Sequence, residues 1–199
     1  MSDALAFRSA CAGALKDIGI VSAPGVTAQE KVPQIATVIA RGPVENLAGR
    51  LKASFGLELV PGARVSSAGG LTFVATGPRA WLALDHGDFG SGGANLVTAL
   101  RQGLGETAAV IEQSSGYIVL RIAGPKARAT FEKGLGIDLH PRAFQAGDAA
   151  STSCAHLNVV IWQIDDAPTY DVAVPRSFAA AFCHWLRESA AEFGLKVVV

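Results

Sequence analysis

The chain has 199 residues, enough for one large domain or two small fused halves. Hydrophobic residues make up 50%, charged residues only 17%, and the 17 basic and 17 acidic side chains cancel. No Lys/Arg cluster supplies the basic footprint that nucleic acid requires, and no apolar run reaches the roughly 18 residues of a membrane helix, so the excess apolar surface is expected to be buried against another protein or absorbed in an Ala-rich core.

Residues 1–34 read as an N-terminal arm, with Pro24-Gly25 and Pro33 suggesting extended chain. Asp3 and Arg8 interrupt any apolar segment there, so no signal peptide is expected. Ile35 to Arg41 reads as a strand, followed by Gly42-Pro43 and a helix to about Phe55. Proline suits the first helical position because its φ is already helical and its missing N–H has no partner to lose there. Leu71 to Thr76 and Trp81 to Asp85 are strand-like runs around the turn pair Gly77-Pro78. A glycine-rich loop, Gly87 to Gly93, leads to a helix from about Ala94 to Leu104, and Thr107 to Gln113 closes with a strand.

The second half repeats the plan. Tyr117 to Ala123 reads as a strand, then Gly124-Pro125 and a helix to about Lys133. Ser153 to Ile164 and Thr169 to Val174 form a predicted hairpin around Asp165 to Pro168. A helix opens at Pro175 and runs to about Phe193, with Phe178, Phe182, Trp185 and Leu186 forming its apolar stripe, and Leu195 to Val199 is the last strand. The expected fold class is therefore α+β, with duplicated split βαβ (ferredoxin-like βαββαβ) halves over residues 35–113 and 114–199 related by a pseudo-twofold axis.

Few residues suggest chemistry. Gly87 to Gly93 before a helix could hold an anion, but the spacing fits no phosphate-binding pattern and no Lys follows, so a connecting loop is the better reading. Cys154 and His156, two apart on a predicted strand, would share a face as a thiolate–imidazole pair, or simply pack. Asp165 and Asp166 could pair as carboxylates, though their place before Pro168 favours turn chemistry. Asp171, if it faces inward, needs a partner, with Arg121 and Arg176 as candidates. Asp138, His140 and Arg142 alternate and would share a face in extended chain, as a polar site, a charge-anchored loop or an interface. His86 and His184 stand alone, and Trp81, Trp162 and Trp185 are expected in the core. Cys11, Cys154 and Cys183 are odd in number and widely spaced, which predicts reduced thiols in the cytoplasm rather than a disulfide or zinc framework.

Several words in the chain carry a resemblance. Gln113-Ser114-Ser115-Gly116-Tyr117, the run from Gly136 to Phe144 and the run from Asp165 to Arg176 resemble the gamma subunit of heterotetrameric sarcosine oxidase. So do Gly77-Pro78-Arg79-Ala80-Trp81-Leu82-Ala83-Leu84 and Pro24-Gly25-Val26-Thr27. The resemblance implies a fold like the folate-binding domain of the glycine cleavage aminomethyltransferase. It implies a non-catalytic, structural subunit with alpha, beta and delta partners. The enzyme it would belong to demethylates sarcosine oxidatively to glycine, with hydrogen peroxide and formaldehyde or methylenetetrahydrofolate as products. In that family FAD, FMN, NAD, tetrahydrofolate and zinc belong to the other subunits, so no catalytic, cofactor-binding or metal residue is expected here. Asp138, His140, Arg142, Tyr170 and Arg176 are the candidate partner interface. The Lys-Gly-Cys-x-Gly-Gln word of the related iron–sulfur assembly proteins is missing. The rival reading is a free-standing folate or one-carbon binding module. It would need an open apolar pocket with an acid at its floor, for which Glu112, Asp138 and Asp171 are the candidates.

Overall fold

Backbone hydrogen bonding sorts the strands into two sheets in a computed structural model that describes residues 9–11, 13–15, 24–87 and 95–198. The fold is mixed α+β and mostly strand. The first sheet contains β2 (Gln34–Ala40), β3 (Val65–Ala68), β4 (Leu71–Gly77), β5 (Ala80–Asp85) and β6 (Ala108–Glu112), in the order β3-β4-β5-β2-β6. The second contains β1 (Val26–Lys31), β7 (Tyr117–Ala123), β8 (Ala149–Cys154), β9 (Leu157–Asp165), β10 (Thr169–Pro175) and β11 (Leu195–Val198), in the order β11-β1-β7-β10-β9-β8. Neighbours are antiparallel throughout, except that β11 runs parallel to β1.

Helices α1 (Val44–Phe55) and α2 (Leu96–Leu104) cover the outer face of the first sheet. Leu47, Leu51, Leu100 and Leu104 pack there on Ala36, Val38, Phe73 and Trp81. Gly56, with φ of 65°, ends α1 in the left-handed conformation that glycine adopts without a Cβ clash. Asn95 starts α2 by accepting from the Thr98 N–H at 3.1 Å. Helices α3 (Ala127–Phe131) and α4 (Ala179–Ala190) cover the outer face of the second sheet through Phe131, Phe182 and Leu186. The inner faces meet through Ile35, Val74, Leu82 and Leu84 on one side and Val119, Val160, Trp162 and Ala173 on the other. At one edge the sheets are stitched together by backbone. Val65 N–H donates to the Gly147 carbonyl at 2.8 Å and Ala149 N–H to the Ala63 carbonyl at 2.9 Å. Most of the apolar content is thus absorbed in three internal clusters.

Several expectations are corrected. Residues 26–31, read as part of an extended arm, form an internal strand held between β7 and β11. Strand β3 is new, and the run predicted from Ser153 is two strands with a turn between them. Each half therefore has three strands between its helices, not two. Pro43 is the N-cap of α1 rather than its first residue, and α3 begins only after Lys126. Helix α4 follows a short 3-10 turn at Arg176–Phe178, which moves Phe178 off the apolar stripe and leaves it 45% exposed. Cys11 and Cys183 are joined as a disulfide. A separation of 172 residues in sequence hides a Cα–Cα distance of 6.3 Å in space, so spacing could not foresee it.

Candidate functional site

The inward face of the second sheet carries a charged pair. Asp171 on β10 lies opposite Arg121 on β7, and both side chains point away from the helices, toward the first sheet. Arg121 Nε and Nη2 donate to Asp171 Oδ1 and Oδ2, each at 2.8 Å, a planar fork on a planar carboxylate. Asp171 is 2% exposed and Arg121 34%. This bidentate contact holds the guanidinium above its ordinary pKa. The predicted partner Arg176 is elsewhere, its Nε donating to the Ser115 carbonyl at 3.2 Å. His86, at the end of β5, faces the same charges. Its pKa is lowered, first by desolvation, with Arg121 and Lys31 adding repulsion and Asp171 and Asp85 opposing. Asp171 and Arg121 are committed to each other, and His86 is exposed.

The other candidates resolve into structural roles. Cys154 is fully buried and its thiol is pushed up to about 12 by desolvation. His156 is not on its face, because Ala155 and His156 form the turn between β8 and β9 with φ of 48° and 67°. Asp165 Oδ1 accepts from the Ala167 N–H at 2.9 Å and Asp166 Oδ1 from Gln163 Nε2 at 3.3 Å, in keeping with turn chemistry. The loop from Asp138 is not extended: Asp138 accepts from the His140 N–H at 2.7 Å, and His140 Nδ1 accepts from the Arg142 N–H at 3.2 Å. These side chains anchor their own loop while remaining exposed. Tyr170 is corrected: it is completely buried, with its hydroxyl accepting from Arg128 Nε at 3.2 Å, so it offers nothing to a partner. Trp81 and Trp162 lie in the core as expected, and Trp185 packs partly buried against it. Of the glycine-rich loop only Gly87 lies within the described residues. Among the described residues no group of His, Cys, Asp and Glu could hold a metal ion.

What the surface offers is clefts and apolar patches. A cleft of about 820 Å³ is lined by Ala75 and Trp81 of the first sheet and Ala149 and Ala150 of the second, with Glu45 as its one ionisable group among the described residues. A second of about 360 Å³ opens between the sheets, where Thr37 and Leu82 meet Tyr117, Val160 and Pro175. Glu112, Asp138 and Asp171 line neither of these, nor the third, smaller cleft around Glu30 and Arg176. Ile39 and Ile111, diagonal neighbours across β2 and β6, are 39% and 46% exposed. Sequence reasoning missed this pair because exposure of a strand face depends on tertiary packing and not on the strand's own residues.

The family model described as sarcosine oxidase, gamma subunit family matches residues 41–192. A sarcosine oxidase subunit gamma from Arthrobacter sp is 33% identical over 144 residues, 72% of this chain and 68% of that protein. One from Corynebacterium sp. (strain P-1) is 32% identical over 145 residues, again 72% and 68%. Among solved structures, heterotetrameric sarcosine oxidase from Corynebacterium sp. U-96, in complex with pyrrole 2-carboxylate, has a chain of the same fold. The TM-score is 0.78 at 25% identity, over 94% of this chain and 96% of that one. The glycine cleavage system aminomethyltransferase T from Bartonella henselae shares the fold alone, with a TM-score of 0.62 at 15% identity, over 88% of this chain and 48% of that one.

Proposed function

This chain belongs to the sarcosine oxidase gamma subunit family, and from that premise we propose that it is a non-catalytic subunit that stabilises a heterotetrameric sarcosine oxidase by packing against alpha, beta and delta partners. The observation that carries the proposal is the state of its reactive groups. Each candidate is buried and unactivated, like Cys154, or committed to a structural contact, like Asp171, Asp165 and Asp138. Within this reading the complex demethylates sarcosine to glycine, with hydrogen peroxide and formaldehyde or methylenetetrahydrofolate as products. FAD, FMN, NAD, tetrahydrofolate and zinc sit on the other chains. Asp138, His140, Arg142 and Arg176 remain the polar part of the proposed interface. Native mass spectrometry after co-expression with the three partners tests this. A 1:1:1:1 assembly with flavin only on the larger chains is expected, and a chain that stays alone under all conditions overturns it.

Duplication belongs to the same proposal. Without β1 and the edge strands β3 and β8, the two sheet orders become β6-β2-β5-β4 and β11-β7-β10-β9. Both correspond to strands 4-1-3-2 of a split βαβ unit, which supports halves at 35–113 and 114–199. We place the assembly in the cytoplasm. Reducing conditions there predict an open Cys11–Cys183 bond in rapidly trapped lysate, and full oxidation would move it elsewhere. Among the described residues, none of the three candidate acids of the rival folate module lines the three clefts noted above, which favours the subunit reading. Calorimetry of the isolated chain with tetrahydrofolate checks that, and no heat is expected.

A further inference from the structure

The chain crosses between the sheets at the β1–β2 and β6–β7 connections, and the two crossings meet the end of β10. Val32 and Pro33 from the first, Ser114 and Ser115 from the second, and Arg176 after β10 wall the smallest of the three clefts, about 240 Å³. Hydrogen bonds fix these walls to one another. Gln113 N–H donates to the Ile35 carbonyl at 2.8 Å, and Ile35 N–H donates to Ser114 Oγ at 2.9 Å. Arg176 is tied to the same turn at two points. Its backbone N–H donates to the Gly116 carbonyl at 2.9 Å and its Nε to the Ser115 carbonyl at 3.2 Å. That anchoring leaves both Nη groups of the guanidinium to donate elsewhere, and among the described residues no carboxylate pairs with them.

The charges around this cleft do not balance. Its charged lining residues are Glu30, Lys31 and Arg176. Glu30 accepts from the Ser9 hydroxyl, and Glu112, beside the turn, accepts from the Ser114 N–H at 2.7 Å. Lys31, like Arg176, has no ion-pair partner among the described residues. Two cations thus face one anion, in a chain whose net charge is zero. The rim is apolar: Val32 is 63% exposed, and Phe178, two residues beyond Arg176, is also exposed. The volume falls below the roughly 300–1,000 Å³ that encloses a small-molecule ligand, and suits a single side chain. We propose that this cleft receives the carboxylate of one aspartate or glutamate from a partner subunit of the heterotetramer. The inference rests on the subunit reading above and adds the chemistry of the contact. The two Nη groups of Arg176 meet the carboxylate oxygens, and Lys31 supplies a second positive charge. Because the turn already holds the guanidinium, little of its freedom remains to be lost on docking. An anchored arginine ringed by apolar side chains is the usual centre of a protein interface.

The test measures association of this chain with its partner subunits at low and high ionic strength. Arg176→Ala should bind about tenfold more weakly at low ionic strength and lose most of the salt dependence that wild type shows. Arg50→Ala, an exposed arginine on α1 outside the cleft, should behave as wild type. Since Arg176 also braces the turn, a second pair of variants reads charge without touching it. Val32→Glu and Val32→Lys remove the same apolar contact at an exposed position and differ in sign, so neither should alter the melting temperature of the isolated chain. The glutamate variant should associate about fivefold more weakly than the lysine variant. Equal association of the two Val32 variants, or a salt dependence unchanged in Arg176→Ala, overturns the carboxylate site and leaves the subunit reading intact. Wild type that joins no partner overturns both. A wild-type dimer that Val32→Glu dissolves would make a second copy the occupant. Calorimetric binding of sarcosine to the isolated chain, lost in Arg176→Ala, would make it a free carboxylate. Either result overturns the assignment to a partner subunit.

Discussion

Asp171 and Arg121 make the same two hydrogen bonds, but their exposure differs, and that decides what each substitution does. Arg121→Leu strands a carboxylate that is almost fully buried, at a cost of about 3 kcal/mol. Asp171→Ala frees a guanidinium that already reaches water, at a cost of about 1.5 kcal/mol. Urea denaturation of both variants measures the difference, and equal costs would contradict this account. His86 sets a pH dependence of definite sign. Its pKa is below its ordinary value of 6.5, so between the two values the unfolded chain binds more protons than the folded one. Stability contributed by neutral His86 is present above 6.5 and is lost as pH falls through that interval. His86→Gln should flatten the acidic limb of a stability-versus-pH curve, and an unchanged limb would rule His86 out. The sequence named Asp171 and offered two arginines. It could not choose between them, because only strand pairing brings Arg121 opposite.

At the scale of the element, the β8–β9 hairpin is closed by two residues in the left-handed region, and neither is glycine. Cys154 pairs with Leu157 across the turn, and Ala155 N–H donates to the Gly134 carbonyl at 2.8 Å. Tertiary contact holds a turn whose own sequence is a poor choice for it, since left-handed conformations cost a residue with a Cβ about 1–2 kcal/mol. His156→Gly should relieve about 1 kcal/mol and raise the melting temperature by roughly 2–4 °C, measured by calorimetry; a lower melting temperature would refute the strain argument. The same turn explains why one long strand was expected here. Nothing in Cys-Ala-His-Leu signals a reversal, whereas Asp165 to Thr169, rich in turn formers, was legible. Gly134 is the converse case. A Cβ there would lie 2.8 Å from the Trp185 ring, so close packing with α4, not local conformation, requires glycine.

For the whole molecule, the disulfide joins residues near the two ends of the chain and pins the segment around Cys11 against α4. The thiol count makes this testable. Native protein should show no reactive thiol at neutral pH, because Cys154 is buried and shifted to about 12. Denaturation without reductant should release one thiol per chain, and reduction all three cysteines. Three thiols in denaturant alone would mean that the bond does not form. Where it forms, Cys11→Ala should cost about 2–4 kcal/mol, the usual contribution of a cross-link closing a long loop. The two sheets need no such link to each other, being held by a shared apolar layer and by backbone bonds between residues 63–65 and 147–149.

The sequence by itself determined the α+β class, most of the helices and strands of each half, and the family, but not the third strand between the helices of each half. Those follow from local signals: hydrophobic periodicity, the Gly-Pro pairs, turn residues and the words from Gln113 to Arg176. Tertiary structure decided what depends on distant segments meeting. It inserted β1 between β7 and β11, paired Asp171 with Arg121, joined Cys11 to Cys183 and buried Tyr170. It also left Ile39 and Ile111 partly exposed, which the strands' own residues do not reveal.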